Sequence, residues 1–195
     1  MQSPSSDHTV VIESPHLIGA YRAPTVRFVR GEGSYLFDEE DRRYLDLLCG
    51  LAVTSLGHAH PEVAATLAAQ ASRLVHVSNL FANEHQEPLA AAIDSLVGLD
   101  GGRVFFTNSG AEANECALKL ARKFGGRGRH VVLSAHGSFH GRTLATLHAT
   151  GQPAKHEAFQ PLPEGFRHVP FGRRAGARGC AHRRGRSRAP RGRPG

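Results

Sequence analysis

Arg103-Val-Phe-Phe-Thr-Asn-Ser-Gly-Ala-Glu-Ala-Asn114 holds the change of periodicity that decides the fold. Arg103 to Thr107 reads as a short buried strand. Asn108-Ser109-Gly110 breaks it. From Ala111 to Phe124 the pattern becomes helical, with Ala113, Ala117, Leu120, Ala121 and Phe124 on one face. Gly125 and Gly126 end that helix, and Arg122 and Lys123 sit at the negative end of its dipole. A strand, a tight turn and a helix in this order form the repeating unit of α/β proteins.

Outward from this stretch the alternation continues. His130 to Ser134 reads as a strand, His136 to Arg142 as a Gly/His-rich loop, Thr143 to Ala149 as a helix and Phe166 to Val169 as another strand. Upstream, Pro61 opens a helix whose Val63, Leu67, Ala71 and Leu74 share one stripe. Pro88 to Val97 reads as a second helix, with Leu89, Ile93 and Leu96 on one side and Gly98 at its end. Val26–Arg30, Ser34–Asp38 and Arg43–Leu47 alternate around two turns, Gly31–Gly33 and Glu39–Asp41, and predict a β-meander. Residues 1–20 and Gly50–His60 read as irregular. The expected class is α/β with a parallel sheet, and no internal repeat is present.

Two stretches carry candidate chemistry. The first is the turn before the helix at Ala111. A helix N-terminus offers free N–H groups and a positive dipole end to an anion. Gly110 permits close approach and the Ser109 hydroxyl can donate a further bond. Asn108 or Ser109 serves equally well as an ordinary N-cap with no ligand. The GxxxxGK[ST] spacing of a P-loop is absent. The second stretch is His136-Gly-Ser-Phe-His-Gly-Arg142, just after a strand, where open α/β sheets gather their ligands. Phe139 can stack on a flat ring and Arg142 can hold a carboxylate in its planar fork. The plain alternative is a solvated loop with Phe139 in the core. His58/His60 and His136/His140 are the closest pairs among 13 histidines. No acid or Cys joins them at ligand spacing, so no metal site is expected. Neither a GxSxG elbow nor a Cys–His dyad is identifiable.

Composition bounds the rest. The chain has 195 residues, room for one ordinary domain, and its 40% hydrophobic content excludes full disorder. No apolar run approaches the ~18 residues of a membrane span. The first residues have neither the basic nor the apolar region of a secretory signal. Cys49, Cys116 and Cys180 are odd in number and far apart, which favours a reducing compartment and predicts a cytoplasmic location. The net charge of +7 is unevenly placed. Residues 173–195 hold nine Arg and no acid, so the preceding body is close to neutral. This tail lacks any aliphatic residue larger than Ala and cannot build a core. It reads as a disordered nucleic-acid arm, a solvated tail or the product of a shifted reading frame in a GC-rich gene.

Asn108-Ser-Gly-Ala-Glu-Ala-Asn114 followed by Phe139-His-Gly-Arg-Thr143 resembles the class III pyridoxal-phosphate (PLP) aminotransferases, and within them the acetylornithine branch. Tyr44-Leu-Asp46, Gly50-Leu-Ala-Val53 and Leu56-Gly-His-Ala-His-Pro61 fit in the same order, and the resemblance runs from about Tyr21 to Gly172. It implies fold-type I, α/β, with a large mixed-sheet domain and a small domain built from both chain ends. On that basis residues 1–60 belong to the small domain and 61–172 to the PLP-binding domain, while 173–195 is a non-family tail. Ser109, Gly110 and Ala111 would hold the cofactor phosphate, Phe139 would stack on the pyridine ring, and Arg142 would bind the substrate α-carboxylate. The implied reaction moves an amino group from N-acetylornithine to 2-oxoglutarate in arginine biosynthesis, in a homodimer. Ornithine, succinylornithine and 4-aminobutyrate are the alternative donors.

Two departures stand out. Asp41 occupies a turn position where the family has Gly. Neither the segment of the family's cofactor-carrying lysine nor that of the aspartate at the pyridine nitrogen is matched, and Lys119, Lys123 and Lys155 do not correspond to that lysine. The expectation is therefore an incomplete, inactive fold with an unpaired sheet edge. A reading of different class, a basic protein that binds nucleic acid through its tail, would show salt-sensitive affinity lost on deleting 173–195.

Overall fold

The computed structural model describes residues 11–98 and 101–172, so the Arg-rich tail lies outside the described residues. The chain divides into two units, one ending at Glu84 and the other beginning at His85.

The first unit contains the expected meander. Strands β1 (Phe28–Glu32), β2 (Tyr35–Asp38) and β3 (Arg43–Leu45) are antiparallel in the order β1-β2-β3. The first turn is tighter than the Gly31–Gly33 expected. Gly31 and Glu32 pair with Leu36 and Tyr35, which leaves Gly33 and Ser34 to reverse the chain. Gly33 makes this possible with φ +54. The register slips between Phe28 and Arg30, so Val29 is a bulge.

The acidic turn is organised by Asp38, which is 3% exposed. Its carboxylate accepts from Arg42 Nε at 2.7 Å, from the Tyr44 hydroxyl at 2.9 Å and from the backbone N–H groups of Glu40 and Arg42. Burial raises its pKa, but these hydrogen bonds outweigh it and hold the group at about 2. Asp41 adopts φ 58, the left-handed conformation that suits Gly, and Asp is among the few other residues that tolerate it.

The segment read as irregular after Leu48 holds one short turn, α1 (Cys49–Ala52), with positive φ at Cys49, Gly50, Leu51 and Ala52. Asp46 supports it by accepting the N–H groups of Leu48 and Cys49, both at 2.9 Å. Helix α2 (Pro61–Ala71) starts at Pro61 as expected, but its Val63 and Leu67 remain exposed.

The second unit contains α3 (Gln86–Val97), α4 (Gly110–Gly125), β4 (Val132–Ala135), α5 (Leu144–Ala149) and β5 (Phe166–Val169), with two 3-10 turns at Pro153–Lys155 and Glu157–Phe159. Gly98 caps α3 in the left-handed conformation. Strands β4 and β5 pair in parallel, from Val132 opposite Phe166 to Ala135 opposite Val169. The packed centre lies around α5, where Thr146, Leu147, Ala149, Thr150 and Leu162 are buried.

One expected element is corrected. Arg103–Thr107 is not a strand, and β4 begins two residues later than the His130 expected. A strand needs a neighbour for its N–H and C=O groups, and no described strand pairs with 103–107. Its Phe105 stays 68% exposed. The same holds for the apolar face of α4, where Leu120 and Phe124 face solvent. Pattern predicted which residues want burial, and the described residues supply no surface to bury them against.

Candidate functional site

Ser109 is the N-cap of α4, extended at φ −155 and ψ 160. Its Oγ accepts the Glu112 N–H at 3.2 Å, while the Glu112 carboxylate accepts the Asn108 N–H at 2.6 Å. This is a capping box displaced by one residue at the Asn108 side. The Ala113 N–H already bonds the Ser109 carbonyl. The first turn therefore keeps the N–H groups of Gly110 and Ala111, which no intrahelical carbonyl reaches. The Ser109 hydroxyl accepts and so still has its proton to give. Open space surrounds the position where a Cβ on Gly110 would stand. The two readings of this turn, cap and anion cradle, are thus compatible: one oxygen caps while two N–H groups and a hydroxyl proton are left to donate.

The loop after β4 is seated against the same helix end. Asn114 Nδ2 donates to the His140 carbonyl at 2.8 Å. Thr143 Oγ1 donates to the Glu115 carboxylate. Gly141 lies so close to α4 that a Cβ there would stand 2.8 Å from Ala111 Cβ and 2.5 Å from Thr146 Oγ1. Its φ of +133 is a second reason for glycine. Thr150, fully buried, holds the loop from below. Its hydroxyl accepts the His140 N–H at 3.0 Å and faces the carbonyls of Gly141 and Thr146.

These contacts bring both sequence-predicted stretches together. Phe139 does not enter the core: its side of the loop is open and the residue is 56% exposed. The Arg142 guanidinium stands 5.9 Å from the Phe139 ring centroid, and the Lys155 ammonium 5.6 Å. The result is a helix N-terminus, an accessible aromatic ring and two cations in one surface region, suited to a small anionic molecule with a flat ring. Sequence reading placed Lys155 in a polar loop, and its position beside Phe139 was not foreseen. Asn114 and Gly141 stood in the two motifs without a seating role, and Thr146 and Thr150 were missed. The four-residue spacing of Thr146 and Thr150 was the available signal.

The histidines paired in sequence make other contacts. His58 Nε2 bonds Asp46 Oδ2 at 2.7 Å, and the hydrogen bond to His58 leads the causes that lower the Asp46 pKa. His140 contributes only backbone groups to the loop's bonds. Among the described residues no group of three or more His, Cys, Asp or Glu is placed to hold a metal ion.

The sequence model of the family Aminotransferase class-III matches residues 19–184, past Gly172 and into the Arg-rich segment. The acetylornithine aminotransferase of Gloeobacter violaceus is 51% identical over 160 residues, covering 80% of this chain and 40% of its own length. That of Methanothermobacter thermautotrophicus is 46% identical over 167 residues, covering 86% and 42%. The chain thus spans about two fifths of the length of these curated relatives. Among solved structures, the ornithine aminotransferase of Toxoplasma gondii superposes with TM-score 0.77 at 27% identity, over 85% of this chain and 40% of that one. A second structure of that enzyme holds PLP at partial occupancy in its active site. An omega-transaminase from Thermomicrobium roseum gives TM-score 0.73 at 36% identity, over 80% and 37%. The relatives are PLP-dependent transferases of fold-type I, and the α/β unit described above is part of that fold. With its match over most of the sequence, the chain belongs to the class III aminotransferases.

Proposed function

We propose that this chain forms the phosphate-cradle and carboxylate-clamp portion of an aminotransferase that takes its amino group from N-acetylornithine and passes it to 2-oxoglutarate. The observation that carries the proposal is the seating of the Phe139–Thr143 loop on the start of α4, through Gly141 against Ala111 and Asn114 on His140. The choice of N-acetylornithine follows the relatives at 46% and 51% identity. On this reading residues 1–60 contribute to the small domain and 61–172 to the large one, in a cytoplasmic homodimer.

The residues fit PLP. The N–H groups of Gly110 and Ala111 and the hydroxyl of Ser109 would hold its phosphate dianion, favoured by the helix dipole. The exposed ring of Phe139 would stack on the pyridine face. When bound, PLP supplies an electron-accepting ring that stabilises negative charge at the substrate α-carbon. Arg142 would orient the substrate through its carboxylate, with a fork geometry that Lys does not offer. Moving a proton at the α-carbon requires an amine of suitable pKa. No lysine of this chain is assigned that role: Lys119 and Lys123 lie on α4, and Lys155 lies against Phe139.

The test is PLP titration of the chain, followed by the amide NMR signals of Gly110 and Ala111, with turnover assayed in parallel. Expected are shifts of both amides by PLP, weaker shifts by pyridoxal without phosphate, and no turnover above free cofactor. Binding that ignores the phosphate would overturn the cradle. Turnover well above free cofactor would show that an amine of this chain moves the proton and overturn that reading.

A further inference from the structure

Beneath the site loop, four imidazoles from four different segments meet. They are His136 in the turn after β4, His148 in α5, His156 between the two 3-10 turns, and His168 in β5. Ring centroids are 5.9 Å apart for His136 and His168, 5.7 Å for His148 and His156, 5.9 Å for His156 and His168, and 6.3 Å for His148 and His168. The amino-group transfer proposed above makes no use of them.

Hydrogen bonds to carbonyls fix the tautomers of two of them. His148 Nδ1 meets the Pro163 carbonyl at 2.6 Å, and His156 Nε2 meets the Thr150 carbonyl at 2.6 Å. A carbonyl only accepts, so both ring nitrogens carry hydrogen. The second nitrogen of each is then a bare lone pair in the neutral ring. His168 Nε2 is buried without a hydrogen-bond partner. Among the described residues no carboxylate pairs with any of the four rings. The surrounding charges are Arg122, whose guanidinium lies 5.7 Å from the Phe166 ring, and Lys155 and Glu157 on either side of His156. Arg167 neighbours His168 on β5. Ser134, opposite His168 in the β4–β5 register, offers only a neutral hydroxyl.

A proton added to His168 therefore brings a positive charge into a half-buried position facing three other imidazoles. The pKa of His168 is lowered accordingly, by burial first and by the three neighbouring histidines as well, against a favourable backbone contact with Ala149. The connection to the site is short. His156 bonds the carbonyl of Thr150, and the hydroxyl of Thr150 holds the His140 N–H beside Gly141.

We propose that His168, at the centre of the four-histidine cluster, is an acid-sensitive latch: neutral, it lets the cluster hold Thr150 and the Phe139–Thr143 loop in place, and protonated, it draws water into the cluster and releases them. The sign follows from linkage. A histidine whose pKa is lowered on folding gives stability that is complete above its ordinary value of 6.5 and is lost as pH falls through the folded value. Loosening is therefore confined to pH below about 6.5.

The test is amide hydrogen exchange of the 195-residue chain between pH 7.5 and pH 5, corrected for intrinsic rates. Histidine ring protons are followed by NMR over the same range. Expected is a loss of protection of roughly tenfold or more across residues 137–151, with the meander unaffected, and a His168 midpoint below 6.5. The variant His168→Asn keeps an N–H for the Ala149 backbone while removing the ring at the centre of the cluster. It should retain protection at pH 5. Unchanged protection of the wild-type loop, a His168 midpoint at or above 6.5, or a folded His168→Asn variant as acid-sensitive as wild type would each overturn the latch. The wild-type measurements decide the matter if the variant does not fold. None of these readouts involves PLP, so they stand or fall separately from the proposed reaction.

Discussion

Substituting Gly141→Ala tests the contact that joins the two halves of the site. The added methyl would stand 2.8 Å from Ala111 Cβ, 2.5 Å from Thr146 Oγ1 and 3.0 Å from Thr146 Cβ. Thr146 cannot swing aside. It is fully buried, and its hydroxyl lies 2.7 Å from Thr143 Oγ1 and bonds the Thr143 carbonyl at 3.2 Å. Ala111 is fixed in the first turn of α4. The backbone adds a second penalty, because φ +133 is strained for any residue with a Cβ. Backbone strain contributes about 1–3 kcal/mol and overpacking about 1–3 kcal/mol. Even about 2 kcal/mol corresponds to roughly 30-fold in the opening equilibrium of the loop. Amide exchange at residues 137–151 reads this directly, without requiring two-state unfolding. Gly110→Ala is the control: nothing lies within 4 Å of its added Cβ. It should leave loop protection intact and favour the helix by up to about 1 kcal/mol. Loop protection in Gly141→Ala within twofold of wild type would refute the close-packed seat, as would equal damage from Gly110→Ala.

Ser109→Ala removes both the cap and a hydroxyl of the proposed phosphate cradle. It should cost α4 about 1 kcal/mol and weaken PLP binding more than pyridoxal binding, measured by helical circular dichroism and by titration. Asp38 sets an acid limit on the meander. With its pKa held at about 2 against an ordinary 3.8, its contribution is complete above about pH 4 and is lost as pH falls through 2. Asp38→Asn should flatten that acid dependence of the Tyr44 NMR signals, and an unchanged profile would assign it to other carboxylates.

The legible parts were those set by local chemistry. Pro61 opens α2, Gly98 closes α3 and Ser109 caps α4, because each acts through its own φ or its own side-chain oxygen within one turn. The meander followed from alternation, although its first turn proved shorter, since pairing of Gly31 and Glu32 is a cross-strand property. Arg103–Thr107 shows the limit most directly. Its residues favour a strand, but a strand is completed only by a neighbour, and none of the described residues provides one.

The sequence by itself determined the family of this protein, the ends of its helices and the residue types that suit a phosphate, a flat ring and a carboxylate. These are properties of short motifs, written in spacing and side-chain chemistry. Tertiary structure alone decided that Gly141 presses on Ala111, that Thr150 carries the loop and that Lys155 stands beside Phe139. It also gathered His136, His148, His156 and His168, spread along the chain, into one cluster. Such encounters depend on how helices and strands pack, and packing joins residues without regard to their separation in sequence.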